Sequence, residues 1–512
     1  MSKKSTKGIW KVISASSVGT LIEWYDFYIF GSLAVVISTK FFPADNPTAA
    51  FLSTLATFAA GFVVRPFGAL FFGRLGDLIG RKYTFMVTLL LMGGATFLIG
   101  CIPSYETIGF MAPLLVLILR LLQGLALGGE YGGAATYVAE HAPKGEKGYW
   151  TSWIQTTATA GLFVSLMVIL ATKTLLSKEA FDEWGWRVPF WVSILMVMVS
   201  YIIRKNMHES PVFAKAKAEG KTSVNPLKES FGNKYNLKFV LLALFGATMG
   251  QGVVWYTGQF YAMNFMKTVM NVESSQVDTL LGIALLCGTP FFVVFGWLSD
   301  KMGRKSIMMA GMLLAIVLYR PIYKAMYNAT DVSVKTELVD QTKLVASVKD
   351  IDATKKDSIY TTTKMYADGT AFEEVKTVHM ENGVRLKADD GKDKVDTKVT
   401  KTINSSDKWM LIFLVFVQVI FVTMVYGPIA AFLVEMFPVK IRYTSMSLPY
   451  HVGNGIFGGL LPAISTYFVT TAKDAGDPEF YLEGLWYPII IAGVCFVIGM
   501  IYIDKKINTI HD

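Results

Sequence analysis

Gly73-Arg74-Leu75-Gly76-Asp77-Leu78-Ile79-Gly80-Arg81-Lys82 and Gly296-Trp297-Leu298-Ser299-Asp300-Lys301-Met302-Gly303-Arg304-Lys305 decide how this chain is read. Gly, Asp, Gly, Arg and Lys recur at identical spacing, 223 residues apart. A second pair follows each string at the same seven-residue interval: Glu140 with Lys147, and Glu435 with Arg442. Asp77 to Glu140 is 63 residues, whereas Asp300 to Glu435 is 135, so the second copy carries 72 extra residues. A duplicated chain with one insertion accounts for all of these intervals.

Each string lies between long apolar runs. Of the 512 residues 53% are hydrophobic and only 17% charged, against about 25% in an ordinary soluble domain. A bilayer crossing takes about 20 apolar residues. Runs of that kind predict spans near 14–40, 51–75, 83–102, 111–139, 150–173, 186–204, 237–266, 276–299, 306–326, 408–434, 444–470 and 483–503. The expected fold is an all-α integral membrane protein, with twelve transmembrane helices in two six-helix bundles related as a parallel repeat. One bundle takes residues 1–204, a cytoplasmic linker 205–236, and the other bundle 237–326 with 408–512.

Residues 327–407 fit no span, because 13 basic and 15 acidic residues interrupt them. The Val-, Thr- and Lys-rich runs Val334 to Val348, Tyr360 to Met365 and Val375 to Met380, with turn signals at Asp368-Gly369 and Asn382-Gly383, predict a small β-rich soluble insert. A disordered charged linker is the competing reading. Lys and Arg concentrate in alternate connections, and Lys3, Lys4, Lys7 and Lys11 precede an apolar run too long for a signal peptide. Both termini and the two repeated loops are therefore expected in the cytoplasm, and the insert outside it. The pI near 9.1 is read as this orientation signal, with no nucleic-acid partner. Cys101, Cys287 and Cys495 read as packing thiols, and no metal site or cofactor is expected.

The loop strings resemble the signature of the major facilitator superfamily. Neighbouring strings narrow the likeness: Ile22-Glu23-Trp24-Tyr25-Asp26-Phe27, Arg65-Pro66-Phe67-Gly68-Ala69, Arg120-Leu121-Leu122-Gln123-Gly124 through Gly128-Gly129-Glu130, Trp184-Gly185-Trp186-Arg187-Val188-Pro189-Phe190, and Glu209-Ser210-Pro211-Val212-Phe213. Together they resemble the metabolite:proton symporter family, whose members carry α-ketoglutarate, citrate, shikimate, and proline or betaine. The resemblance implies proton-coupled uptake of a small organic acid or zwitterion across a bacterial cytoplasmic membrane, by a multi-pass protein read here as a monomer. It does not extend to the insert.

Charges at bilayer depth are expensive and so mark function. Glu23 and Asp26 share a helical face at i and i+3 in the first span, and with Glu130 they are the candidates for proton coupling. Arg120, Arg65 and Gln123 are candidates for binding a carboxylate, since a guanidinium offers a planar fork. A structural ion pair is the competing reading. At the 223-residue offset Glu23, Asp26 and Arg65 become Gly246, Met249 and Gly288, which assigns charge handling to the first half. The second half offers Gln251, Trp255, Tyr256 and Gln259, and more weakly Tyr426, Tyr450, His451 and Asn454. Asp77, Arg81, Asp300, Arg304, Glu140, Lys147, Glu435 and Arg442 are expected to form a conformational latch. An exporter or facilitator of the same fold, or a membrane sensor using the insert, are the alternatives. An enzyme is not expected, for no Gly-x-Ser-x-Gly or His-Glu-x-x-His string is present.

Overall fold

The apolar runs resolve into twelve places in a helical bundle. The structure, a computed structural model, describes residues 3–43, 47–350, 355–381, 384–387 and 393–504. Span one is the pair Gly8–Ser32 and Ala34–Phe41, bent by 67° at Leu33. Span two is Pro47–Val63 continued by Arg65–Leu78. Spans three to six are Arg81–Ile99, Met111–His141, Lys147–Leu175 and Gly185–Lys205. Spans seven to nine are Lys234–Val269, Ser274–Met302 and Arg304–Ala329, and spans ten to twelve are Ser405–Met436, Arg442–Asp474 and Phe480–Tyr502.

Glycine decides how closely the first-half helices approach. A Cβ on Gly124 would lie 2.1 Å from the Gly61 carbonyl oxygen, and one on Gly128 would lie 2.2 Å from that of Arg65. Spans two and four are thereby in backbone contact, which a bilayer-embedded pair achieves only with small residues at the crossing. The two repeated loops turn on Gly80 at φ +132° and Gly303 at φ +92°, conformations that a side chain would strain. Ser210 caps the short linker helix Pro211–Ala218 by accepting from the Phe213 amide at 3.2 Å.

The insert is an antiparallel sheet of β1 (Lys343–Asp350), β2 (Lys355–Met365), β3 (Ala371–Glu381), β4 (Val384–Arg385) and β5 (Val395–Thr402). β2 pairs on one side with β1 and on the other with β3, which carries β4 and β5 on its far side. Gly369, at φ +87°, closes the β2–β3 hairpin where Asp368-Gly369 signals it. Asn382-Gly383 lies outside the described residues, although Glu381 pairs with Val384 on either side of it. The run from Val334 is extended later than expected: residues 332–334 and 339–341 are single 3-10 turns, and the strand begins at Lys343.

The sheet is fastened to the second half. The Lys401 amide donates to Asn271 O at 2.7 Å, and the Glu273 amide donates to Lys401 O at 2.9 Å, so the connection between spans seven and eight extends the sheet beyond β5. Gln276 then pairs with both backbone groups of Ile403, at 2.9 and 3.1 Å. Lys335 binds Asp368 at 2.7 Å and also Asp407, tying the hairpin turn to the start of span ten.

Candidate functional site

Two ion pairs tie span one to spans two and four in the first half. Asp26 of span one accepts from Arg120 of span four at 3.0 Å and from Gln123 at 2.9 Å. Gln123 also accepts from Arg120 at 2.8 Å and donates to Thr96 at 2.7 Å, while the guanidinium lies over the Phe30 ring. Glu23, one turn earlier, faces Arg65 of span two at a looser 3.6 Å. Both pairs line one compartment inside the first half, but only Glu23 and Arg65 also reach the space between the halves. Glu23, Trp24 and Arg65 face Trp255, Tyr256 and His451 of the second half across a central cavity, whereas Asp26, Arg120 and Gln123 lie behind it, inside the first half. Glu23 and Arg65 line both compartments.

The central cavity is lined by polar side chains with unpartnered atoms. Arg65 Nε, Trp255 Nε1 and the His451 Nε2 ring nitrogen are buried with no hydrogen-bond partner among the described residues, and all three side chains line it. An unsatisfied buried polar group costs roughly 1–3 kcal/mol, so three on side chains that line one cavity fit a polar occupant: Arg65 and Trp255 bring donors, while the His451 ring bonds the Gly128 backbone and its other nitrogen can accept. Around it the halves touch through rings: Trp24 lies 5.0 Å from Trp255, and Tyr131 stacks on Tyr450 at 3.7 Å.

Not every second-half candidate reaches this space. Trp255 and Tyr256 do, but Gln251 exchanges two hydrogen bonds with Asn454, at 3.0 and 3.1 Å, and does not line the cavity; neither does buried Gln259. Residues 251, 255 and 259 share a face only in a regular α-helix. Span seven has a π turn at Thr257–Tyr261, and its extra residue rotates Gln259 out of phase with Trp255.

Glu130 has a partner that the sequence reading omits. It pairs with Arg204 at 2.5 Å and accepts from Thr88 at 2.8 Å, and Arg204 lies 3.4 Å over the Phe85 ring. Arg204 ends span six, where a cation reads as an orientation signal; the clue was a carboxylate in span four with no cation of its own.

At the face carrying the repeated loops, the two halves exchange equivalent bonds. Asp77 accepts from the amides of Tyr443 at 3.4 Å and Thr444 at 2.9 Å, in the first turn of span eleven. Asp300 accepts from the amides of Gly148 at 2.9 Å and Tyr149 at 2.8 Å, in the first turn of span five. Each Asp thus sits at the positive end of a helix from the other half, and each is held by its own Arg at i+4, Arg81 at 2.9 Å and Arg304 at 2.5 Å. Glu140 crosses the interface to Arg442 at 3.1 Å, while Glu435 stays within its half, on Arg304 at 3.0 Å. Lys147 begins span five and forms no ion pair among the described residues. Tyr443 does more than supply an amide. Its buried ring fits against Gly76, Gly132 and Gly133, and its hydroxyl donates to the Gly129 carbonyl.

Residues 11–339 match the family described as sugar (and other) transporter. The chain is 28% identical over 499 residues to the alpha-ketoglutarate permease of Escherichia coli strain K12, covering 98% of this chain and 94% of that protein. It is 29% identical over 482 residues to the citrate-proton symporter of Salmonella typhi, covering 93% and 92%, and 33% identical over 327 residues to the proline/betaine transporter of Escherichia coli strain K12, covering 61% and 64%. Among solved structures it superposes on the proton:xylose symporter XylE bound to 6-bromo-6-deoxy-D-glucose with a TM-score of 0.67, at 15% identity, covering 98% and 97% of the two chains. Duplicated halves, crossed loop bonds and these likenesses agree: the chain belongs to the sugar (and other) transporter family, has the major facilitator fold, and is a multi-pass membrane transporter, not an enzyme.

Proposed function

We propose that the protein takes up a small organic acid or zwitterion together with protons, by alternating access. The observation that carries this reading is the cavity between the halves lined by Arg65 and Trp255, two side chains with unpartnered N–H donors, which suits a carboxylate. Arg65 is the anchor for that carboxylate, and Arg120, set behind it, is the counter-charge of Asp26. Glu23 competes with the solute for Arg65, since one guanidinium has a single best bidentate site. Protonating Glu23 releases Arg65 to the solute; Asp26, buried against Arg120 and Gln123, holds the second exchangeable proton site. Solute and proton therefore favour each other's binding, the condition for symport.

The repeated loops face the cytoplasm in this reading, both termini with them, and the crossed Asp77 and Asp300 bonds close that side. The insert then lies outside, and the chain works as a monomer in a bacterial cytoplasmic membrane. The names of the relatives, which include a permease for a keto acid and a citrate-proton symporter, support the solute class.

Uptake of labelled mono-, di- and tricarboxylates, proline and betaine, in energised and uncoupled cells, tests it. Accumulation that collapses on uncoupling, with alkalinisation outside the cells as solute enters, is the expected result. Export, or equilibration indifferent to the proton gradient, would overturn it.

A further inference from the structure

Spans seven and twelve touch at two glycines and then part. A Cβ on Gly499 would lie 2.6 Å from the Gly246 carbonyl oxygen, so the backbones are in contact there, where span seven also passes through a π turn at Leu244–Thr248. Toward the repeated-loop face the helices separate and leave a wedge-shaped cavity of about 490 Å³. Its walls are Leu237, Leu241, Leu242, Phe245, Ile498 and Tyr502. Lys234 and Lys238, a helical turn apart and exposed, are the charged residues that line it among the described residues, with no described carboxylate in the lining.

We propose that this groove is a binding site for an anionic phospholipid of the cytoplasmic leaflet, with an acyl chain between spans seven and twelve and the headgroup phosphate on Lys234 and Lys238. The inference rests on the orientation proposed above. An apolar slot at membrane depth selects hydrocarbon, and two ammonium groups at its mouth select a net negative headgroup over a zwitterionic one, whose own ammonium repels them. On the other side of the end of span twelve, Lys305 donates to the carbonyls of Met500 at 2.8 Å and Ile503 at 2.6 Å, which fixes the wall that the lipid would lie against. Lys305 follows Arg304 of the Asp300 latch, so the groove wall is tied to the element that opens and closes.

Native mass spectrometry on the delipidated full-length protein, titrated with phosphatidylglycerol or phosphatidylethanolamine, tests the site. Phosphatidylglycerol is expected to be retained at least five-fold more than phosphatidylethanolamine. The double variant Lys234→Ser/Lys238→Ser is expected to lose that preference while still binding both lipids, and Leu241→Trp, which fills the slot, to lose both. An unchanged phosphatidylglycerol preference in the double variant, or no preference in the wild type, would overturn the site. Retention in detergent does not depend on orientation, which is read separately by labelling single cysteines in intact cells, so failure of the topology and failure of the site remain distinguishable.

Discussion

Asp77 and Thr444, 367 residues apart, are joined twice: the Thr444 amide donates to Asp77 Oδ2 at 2.9 Å and its hydroxyl to the same oxygen at 2.7 Å. The carboxylate thereby caps a helix that belongs to the other half. A side-chain cap is worth about 1 kcal/mol, and the charge at a helix N-terminus adds up to about 2 kcal/mol in buried geometry. Both would be lost if the two halves parted at this face.

Asp77→Asn is therefore expected to move the population toward the state open at the repeated loops, and Asp300→Asn to do the same through span five. Single-cysteine accessibility on the two faces measures the shift, which should be about 10-fold or more for either variant. Unaltered accessibility would remove the role of the carboxylate charge at the helix N-terminus.

The ring of Tyr443 gives an independent handle on the same equilibrium. A Cβ on Gly76 would lie 2.2 Å from Tyr443 Cδ1, so Gly76→Ala is expected to expel the ring and favour the open state. Gly94→Ala, with nothing within 4 Å of the added methyl, is the control and should leave accessibility unchanged.

Arg65→Lys is expected to raise the transport KM by 10-fold or more, with expression retained, because an ammonium cannot reproduce two parallel hydrogen bonds. Asp26→Asn is expected to abolish proton-driven accumulation while leaving solute exchange detectable. Counterflow assays in proteoliposomes separate the two. Accumulation by Asp26→Asn against a gradient would return that carboxylate to a purely structural pairing with Arg120.

Much of this was legible in the sequence because hydropathy and repetition are local properties. The twelve apolar runs, the two strings about Asp77 and Asp300, and the hairpin at Asp368-Gly369 all follow from neighbours in the chain. What depends on helix phase or on the end of a distant helix was not. The i, i+4 spacing of Trp255 and Gln259 puts them on one face of a regular α-helix, and the π turn at Thr257–Tyr261 moves Gln259 away. Arg204 was hidden among the basic residues that flank span six. Asp77 was read with cations, yet its bonds across the interface are to backbone amides, which no side-chain pattern displays.

The insert carries its own pH dependence. His379 lies between Asp396 at 2.9 Å and Asp357 at 2.7 Å, and these hydrogen bonds, that to Asp396 foremost, raise its pKa above 6.5. A raised histidine pKa contributes stability that is complete below about pH 6.5 and fades as pH rises through the folded value. Desolvation pushes Asp368 up, but Lys335 and the Thr370 amide outweigh it and hold the group at about 2, a contribution kept above about pH 4 and lost as pH falls toward 2. Limited proteolysis of the full-length protein should find the sheet most resistant between about pH 4 and 6.5, and His379→Gln should erase the alkaline limb alone.

Deleting residues 336–399 behind a short linker is expected to preserve uptake, because the spared Lys401 still pairs with Asn271 and Glu273. A wider deletion through residue 403 leaves the Asn271 carbonyl, the Glu273 amide and Gln276 without these partners, and should lower the melting temperature by several degrees more. Loss of uptake on the narrower deletion would show that the sheet takes part in transport.

The seam between Lys401 and the Asn271–Glu273 segment has a practical consequence. Two similar helical bundles inside a detergent micelle give images that are hard to orient, since a half turn nearly superposes them. A sheet spliced by main-chain bonds into one bundle breaks that ambiguity with a rigid landmark. An antibody fragment raised against β2 and β3 would report the attitude of the second half in every particle, and labels on the sheet and on the first half would turn the rocking of the two bundles into a distance.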